Sequence, residues 1–315
     1  MADMDILTDH GHGIYAIDSD FGRPRLNAVH LIVANGRAAL IDSANNRAVP
    51  RVLEALEKLG IAPERVDYLI LTHVHLDHAG GAGSLMAALP EARLVVHPRG
   101  ARHVTDPSRL IAGTIAVYGE AAARGMYGDI LPVAATRIVE ARDAQTLTFG
   151  RRELSLFDTP GHARHHLSIR DGGTGQIFAG DSFGLSYREL DRDGRCFAFP
   201  ATTPVQFDPV ALHRSVDLIA GHRPGAVYVT HYSRVGDIPR LAADLHRLID
   251  AHTELALRER DGPGRHQRLK AGLAQIVIEE AELQDWALRG DDLLTLMAMD
   301  IELNAQGLGA WLDAA

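Results

Sequence analysis

Thiols are nearly missing from this chain. Cys196 is the only cysteine in 315 residues, which excludes an internal disulfide and any thiolate-rich zinc or iron–sulfur site. Lysine is almost as scarce, with Lys58 and Lys270 set against 30 arginines. Positive charge is not in surplus: 32 basic and 41 acidic residues leave a net charge of −9. That is a poor platform for a polyanion, because nucleic-acid affinity rests on neutralising phosphates, and no run of basic residues forms a patch. No stretch approaches 18 consecutive apolar residues, so no transmembrane helix is predicted. Residues 1–12 lack the basic start and apolar run of a secretory signal. With one free cysteine, the expected compartment is the cytoplasm.

What is plentiful is histidine, at 17, within a chain that is 46% hydrophobic. That is enough apolar matter for a sizeable core. Any metal must be held by imidazole and carboxylate. The acidic surplus is uneven: 15 acidic and 8 basic residues follow position 236, a net of −7, and the rest of the chain carries only −2.

Length alone suggests two domains, or one large domain with an extension. Residues 13–18, 29–34 and 38–42 read as strands, the last two joined by an Asn35-Gly36 hairpin signal. Residues 47–59 have helical apolar spacing and stop at Gly60. Residues 66–72 read as a buried strand, 85–89 as helix, 93–97 as strand and 98–127 as mixed and largely helical. Strands return over 137–168, with 145–149 and 153–157 flanking a Gly150 turn, and 167–170 pairs with 176–179. Residues 209–220 read as helix and 226–230 as strand. Beyond 235 the texture turns helical, over 238–257, 269–288 and 293–303. The predicted organisation is an α/β body over 1–235 and a helical extension over 236–315.

The densest chemistry is Thr72-His73-Val74-His75-Leu76-Asp77-His78-Ala79-Gly80-Gly81. Four groups able to bind metal sit within six residues, directly after a strand, and glycines allow a tight exit. Three further candidates each follow a predicted strand: His162 in Thr159-Pro160-Gly161-His162, Asp181 in Ala179-Gly180-Asp181, and His231 after Thr230. Strand exits of this kind can project into one crevice. Competing chemistries fit badly. Gly184-Leu185-Ser186-Tyr187-Arg188 lacks the last glycine of a nucleophile elbow. Gly172-Gly173-Thr174-Gly175 lacks the lysine of a phosphate loop, and Gly80-Gly81-Ala82-Gly83 fails the dinucleotide fingerprint.

The set His73-x-His75-x-Asp77-His78, His162, Asp181, His231 resembles the metallo-β-lactamase superfamily over roughly residues 13–235. The resemblance implies an αββα sandwich with a metal site at one edge between the two sheets. It implies that His73, His75 and His162 hold one metal, that Asp77, His78 and His231 hold a second, and that Asp181 bridges them. The N/O donor set suits two divalent ions, zinc first, with iron or manganese open. Such ions lower the pKa of bound water to about 7, and Asp77 is the candidate to orient or deprotonate that water. True β-lactamases of this type lack the bridging aspartate and several use a cysteine, so Cys196 reads as structural. A glutamate replaces His75 in the flavodiiron branch.

What remains resembles the glyoxalase II and thioesterase style, in which C-terminal helices help form the pocket. The implied reaction is hydrolysis of an acyl thioester or related ester, with lactones and small phosphodiesters as alternatives. A non-catalytic metal-binding regulator acting through a protein partner is the alternative of another class. Expected partners are a small-molecule substrate and, for assembly, a second copy, with no nucleic acid and no membrane. Tyr187 and Tyr232 are candidates to meet substrate through an oxyanion hydrogen bond, and His166, beside His165, to support the ligands or touch substrate. His10 and His12 alternate near the N-terminus and read as solvent exposed in preference to a metal-binding tail, and the other eight histidines, His213 and His246 among them, show no partner pattern.

Overall fold

The computed structural model describes residues 6–314. The first five residues of the polar N-terminus and the final residue lie outside them. Strands β1 (Leu7–Asp9), β2 (Ile14–Asp18), β3 (Ala28–Ala34), β4 (Arg37–Ile41), β5 (Val66–Ile70), β6 (Arg93–Val96) and β7 (Ile138–Glu140) form one sheet in chain order. Strands β8 (Thr146–Phe149), β9 (Arg152–Asp158), β10 (Leu167–Asp171), β11 (Ile177–Gly180), β12 (Val227–Val229) and β13 (Ser233–Val235) form the second, also in chain order. The predicted hairpins at Asn35-Gly36 and Gly150 are present as β3–β4 and β8–β9. From β4 to β7 the strands run parallel, and such pairing needs crossovers.

Those crossovers are helices. The first sheet is joined by α1 (Val49–Lys58), α2 (Leu76–Ala79), α3 (Ala82–Ala88), α4 (Pro98–Thr105), α5 (Ser108–Tyr118) and α6 (Glu120–Tyr127). In the second sheet α7 (Pro209–Gly221) joins the parallel pair β11 and β12. The chain then continues as α8 (Ile238–Arg258), α9 (Arg265–Leu283), α10 (Gly290–Leu296) and α11 (Ala298–Ala314). The single helix expected over 293–303 is in fact two, broken at Met297. Apolar residues on both sides of that break hide it from a periodicity reading. No helix among the described residues is long and apolar enough to cross a membrane.

Three apolar layers hold the sandwich together. Ile14, Ile32, Ile41, Ile70 and Val95 of the first sheet face Leu154, Leu156, Ile169, Phe178 and Tyr228 of the second. Phe178 and Tyr228 stack with centroids 4.7 Å apart, a geometry worth roughly 0.5–1.5 kcal/mol beyond burial. The outer face of the first sheet is covered by α1, α3 and α4 through Val52, Leu56, Leu85 and Val104. The outer face of the second is covered by α7 and the C-terminal helices, whose Leu241, Leu245, Leu273 and Leu308 share one core with Val227 and Val229. The architecture is αββα with added C-terminal helices.

This topology places the site. Strands β4 and β5 are parallel, so their C-terminal ends share an edge. Strands β11 and β12 are parallel, and β9 runs the same way, being two antiparallel steps from β11. All five exits therefore open on one edge of the sandwich. Thr72 O accepts from Leu167 N at 2.7 Å and ties the two sheets together there.

Candidate metal centre

The seven predicted ligands converge at that edge. His73 Nε2, His75 Nδ1 and His162 Nε2 lie 2.9–3.2 Å from one another. Nitrogens about 2.0–2.1 Å from a tetrahedral zinc would stand roughly 3.3–3.4 Å apart, so this trio needs only slight opening to hold an ion. A second group faces it. His231 Nε2 lies 3.2 Å and His78 Nε2 3.4 Å from Asp77 Oδ2. Asp181 stands between the groups: its Oδ2 is 3.4 Å from His162 Nε2 and 3.5 Å from His78 Nε2, and its Oδ1 is 3.9 Å from His231 Nε2.

Two buried atoms here lack a hydrogen-bond partner, His78 Nε2 and Asp181 Oδ1. Burying polar atoms without partners is costly, and both are aimed into the cluster. A divalent cation in each group would satisfy them. The donor set, five imidazoles and two carboxylates with no thiolate, fits such ions.

The local backbone serves this geometry. Gly180 has φ +49°, and a Cβ there would come within 2.6 Å of His166 Nε2 and 2.8 Å of Thr72. Only glycine lets β11 end so close to them and deliver Asp181. Gly161 has φ +133°, and its Cβ would meet Leu212 N and Cα at 2.4 Å. It lets the loop carrying His162 pass tightly under α7.

Three of the five imidazoles are oriented from behind by a hydrogen bond to their Nδ1, as metal-ligating histidines generally are. His162 Nδ1 donates to Ala201 O at 2.8 Å, and His231 Nδ1 to Leu26 O at 3.0 Å. His78 Nδ1 donates to Asp42 Oδ2 at 2.8 Å. Asp42 is a residue that the sequence reading missed. It is 1% exposed and also accepts from Thr72 N at 2.8 Å, Thr72 Oγ1 at 2.9 Å and Thr230 Oγ1 at 3.0 Å. Thr72 leaves the first sheet and Thr230 the second, so one carboxylate locks both exits. The only sequence signal was an aspartate ending a strand.

Electrostatics divide the site. Burial first, then neighbouring imidazoles, hold His73 and His75 well below the usual histidine range, and burial also lowers His162. These three are neutral and ready to ligate. Burial would lower His78 too, but Asp181, Asp77 and Asp42 outweigh it and raise it well above the ordinary value. His231 is raised by Asp181 and Asp77 against the same opposition. Burial would raise Asp77 and Asp181, but the surrounding imidazoles outweigh it and keep both ionised.

The three proposed substrate contacts are placed differently. His166 is fully buried behind the site. Its Nε2 accepts from Asp181 N at 3.1 Å, so its Nδ1 carries the hydrogen and faces Thr159 Oγ1 and Ser182 Oγ, each at 3.0 Å. Of the two roles expected for His166, this placement fits support of the ligands: the ring is enclosed by protein and positions Asp181, away from substrate. Tyr232 is likewise turned inward, packed in a small cluster with Ala16 and Ala28, which corrects its proposed role. Tyr187 is buried with its hydroxyl donating to Asp300 Oδ1 at 2.9 Å, and the Arg23 guanidinium lies 4.5 Å over its ring. Cys196 meets Arg188 and joins no ligand group.

Further groups missed by the sequence reading stand near the second cluster. Asp300, from the first turn of α11, is pushed up to about 6, chiefly by burial, and lies close enough to His231 for the two to interact electrostatically. Tyr118 and Tyr127 are raised by burial and by the charge of Asp77, and Phe21 stacks on Tyr127 at 5.7 Å. Nothing in the mixed stretch 98–127 or in the last helix signalled them.

The chain belongs to the metallo-beta-lactamase superfamily, whose family profile matches residues 22–231. Uncharacterized protein YobT of Bacillus subtilis is 25% identical over 64% of this chain and 81% of its own length. A hydroxyacylglutathione hydrolase of Gloeobacter violaceus is 30% identical over 46% of this chain and 43% of its own, so the match spans under half of that relative. Among solved structures, metallo-beta-lactamase family protein TTHA1429 of Thermus thermophilus superposes with a TM-score of 0.67, covering 96% of this chain and 93% of the other at 20% identity. That likeness establishes the fold.

Proposed function

We propose that the chain is a binuclear metal-dependent hydrolase acting on an acyl thioester or related carboxylic ester. The observation that carries the reading is Asp181, buried between two ligand groups with Oδ1 unsatisfied. The thioester preference is drawn from the hydroxyacylglutathione hydrolases among the relatives. Divalent ions, zinc by preference with iron or manganese compatible, would supply an acidified water and polarise the acyl carbonyl.

The chain's own residues do the rest. His73, His75 and His162 would hold one ion and Asp77, His78 and His231 the other, with Asp181 placed to serve both. Asp77 is kept ionised by His78 and His231, so its carboxylate can accept a proton from the attacking water. Tyr118, Tyr127 and Phe21 offer an aromatic wall near Asp77, and Asp300 offers charge near His231 for substrate selection. The substrate is a small molecule, and the single cysteine suits a cytoplasmic setting.

The test is a panel of thioesters, lactones and phosphodiesters offered to protein loaded with zinc, iron or manganese. Thioester turnover with the highest kcat/KM supports the reading. Turnover of lactones or phosphodiesters alone would move the substrate class. No turnover with both ions bound would favour a regulatory protein.

A further inference from the structure

A second histidine cluster lies away from the metal centre, on the seam between α7 and α8. Each helix carries the same short pattern, His213-x-x-x-Asp217 and His246-x-x-x-Asp250. Spacing of four places histidine and aspartate on one helix face. The pairing is crossed between the helices: His213 Nε2 meets Asp250 Oδ1 at 3.1 Å, and His246 Nε2 meets Asp217 Oδ1 at 3.0 Å. The two rings are nearly parallel, 9° apart with centroids 4.9 Å apart, and meet edge to edge. Their Nδ1 atoms approach to 2.6 Å. The expectation that neither histidine has a partner is thus corrected. The partners sit 33 residues apart on another helix, beyond the reach of local spacing.

Protonation makes this arrangement informative. An ionised carboxylate only accepts, so each Nε2 must carry its hydrogen. If both rings are neutral, two bare Nδ1 lone pairs then face each other at 2.6 Å and repel. A cation between them, either a shared proton or a metal ion, relieves this. A proton would leave the four-residue cluster, with its two carboxylates, at a net −1, whereas a divalent ion neutralises it. A carboxylate behind each imidazole is also the arrangement that orients metal-ligating histidines. The histidine side chains are 28% and 30% exposed, which leaves room for water in the remaining coordination positions.

We propose that this seam is a third metal site, taking one divalent transition-metal ion of the zinc class through His213 Nδ1 and His246 Nδ1. Asp217 and Asp250 fix the rings and their tautomers. Opening the nitrogens to the roughly 3.3 Å of a tetrahedral site needs only ring rotation against exposed carboxylates. The ion would fasten α7 to α8. Helix α7 also braces the loop that carries His162: Ser215 Oγ donates to Pro160 O at 2.6 Å, and Asp208 N to Gly161 O at 2.8 Å. The site does not depend on the hydrolase reading.

The test is calorimetric titration of full-length, chelator-stripped protein with zinc, wild type beside His246→Ala and His246→Gln. Wild type should bind one more equivalent than either variant. Crystals grown with zinc should show an anomalous peak between the two rings. Asp217→Asn and Asp250→Asn should each weaken that one equivalent by about 10–100-fold and leave the others unchanged. Equal stoichiometry and affinity in wild type and both His246 variants would overturn the proposal. So would extra zinc bound only weakly and equally by all of them. Circular dichroism checks that the variants are folded, and His246→Gln keeps the side-chain bulk at this partly exposed position.

Discussion

Asp42→Asn is the sharpest perturbation of the metal centre, because it keeps size and changes only charge and hydrogen bonding. In the wild type, Asp42 accepts from His78 Nδ1, from Thr72 N and Oγ1, and from Thr230 Oγ1. An asparagine has one accepting oxygen and an NH2 group that donates. If the NH2 faces His78, two donors meet and the ring must change tautomer, putting the hydrogen on the ligating Nε2. If it faces Thr72, the backbone N–H loses its acceptor. Loss of such a supporting partner typically lowers metal affinity by about 10–100-fold, about 1.4–2.7 kcal/mol. The loss should fall on the ion held by Asp77, His78 and His231, and spare the one held by His73, His75 and His162. The unsatisfied buried group should also cost about 1–3 kcal/mol of folding stability. Competition against a graded series of zinc chelators resolves the two affinities, and urea unfolding of the metal-free protein gives the stability term. A second-ion affinity within twofold of wild type would refute the orienting role of Asp42. An equal loss at both ions would refute its selectivity.

Other consequences follow from the same geometry. His78 and His231 are raised by their carboxylate neighbours, so they hold protons that an incoming ion must displace, whereas His73, His75 and His162 are already neutral. Affinity for the second ion should therefore rise with pH through neutrality more steeply than affinity for the first. Titration calorimetry in two buffers of different ionisation enthalpy should show greater proton release in the second step, and greater release in the first would contradict this. Gly180→Ala would force a Cβ against Thr72 and His166 at a left-handed φ, costing about 1–3 kcal/mol. It should also displace Asp181, and a variant with unchanged melting temperature and metal content would show that the close approach is unimportant. Phe178→Ala opens the inter-sheet core and should cost about 3–5 kcal/mol in urea unfolding, with ligand geometry kept wherever the fold survives.

The parts of this molecule that were legible in sequence are those where local pattern and tertiary role coincide. His73, His75, Asp77 and His78 follow β5 in a single exit, and His162, Asp181 and His231 stand where other strands end. Hairpins at Asn35-Gly36 and Gly150 were readable because turn chemistry is local. The illegible parts depend on pairing across long separations. Asp42 is a supporting residue only because His78, 36 positions on, returns to it. His213 and His246 were dismissed for the same reason. Strands β1 and β13 are three residues each, too short to show a period of two. The break at Met297 matters because α11 starts just after it and carries Asp300 toward His231, yet the apolar residues continue across the break. Tyr232 was expected at the site because it follows a ligand, but its ring is directed to Ala16 and Ala28.

The central claim is that seven side chains at one edge of the sandwich hold two ions bridged by Asp181. It is tested most directly by counting metal in the His246→Ala protein, where the α7–α8 seam is disabled, before and after adding Asp181→Ala. The account predicts two ions per chain before the second substitution, with the ion held by Asp77, His78 and His231 weakened or lost after it. One ion or none before it, or two held as tightly after it, would contradict the account.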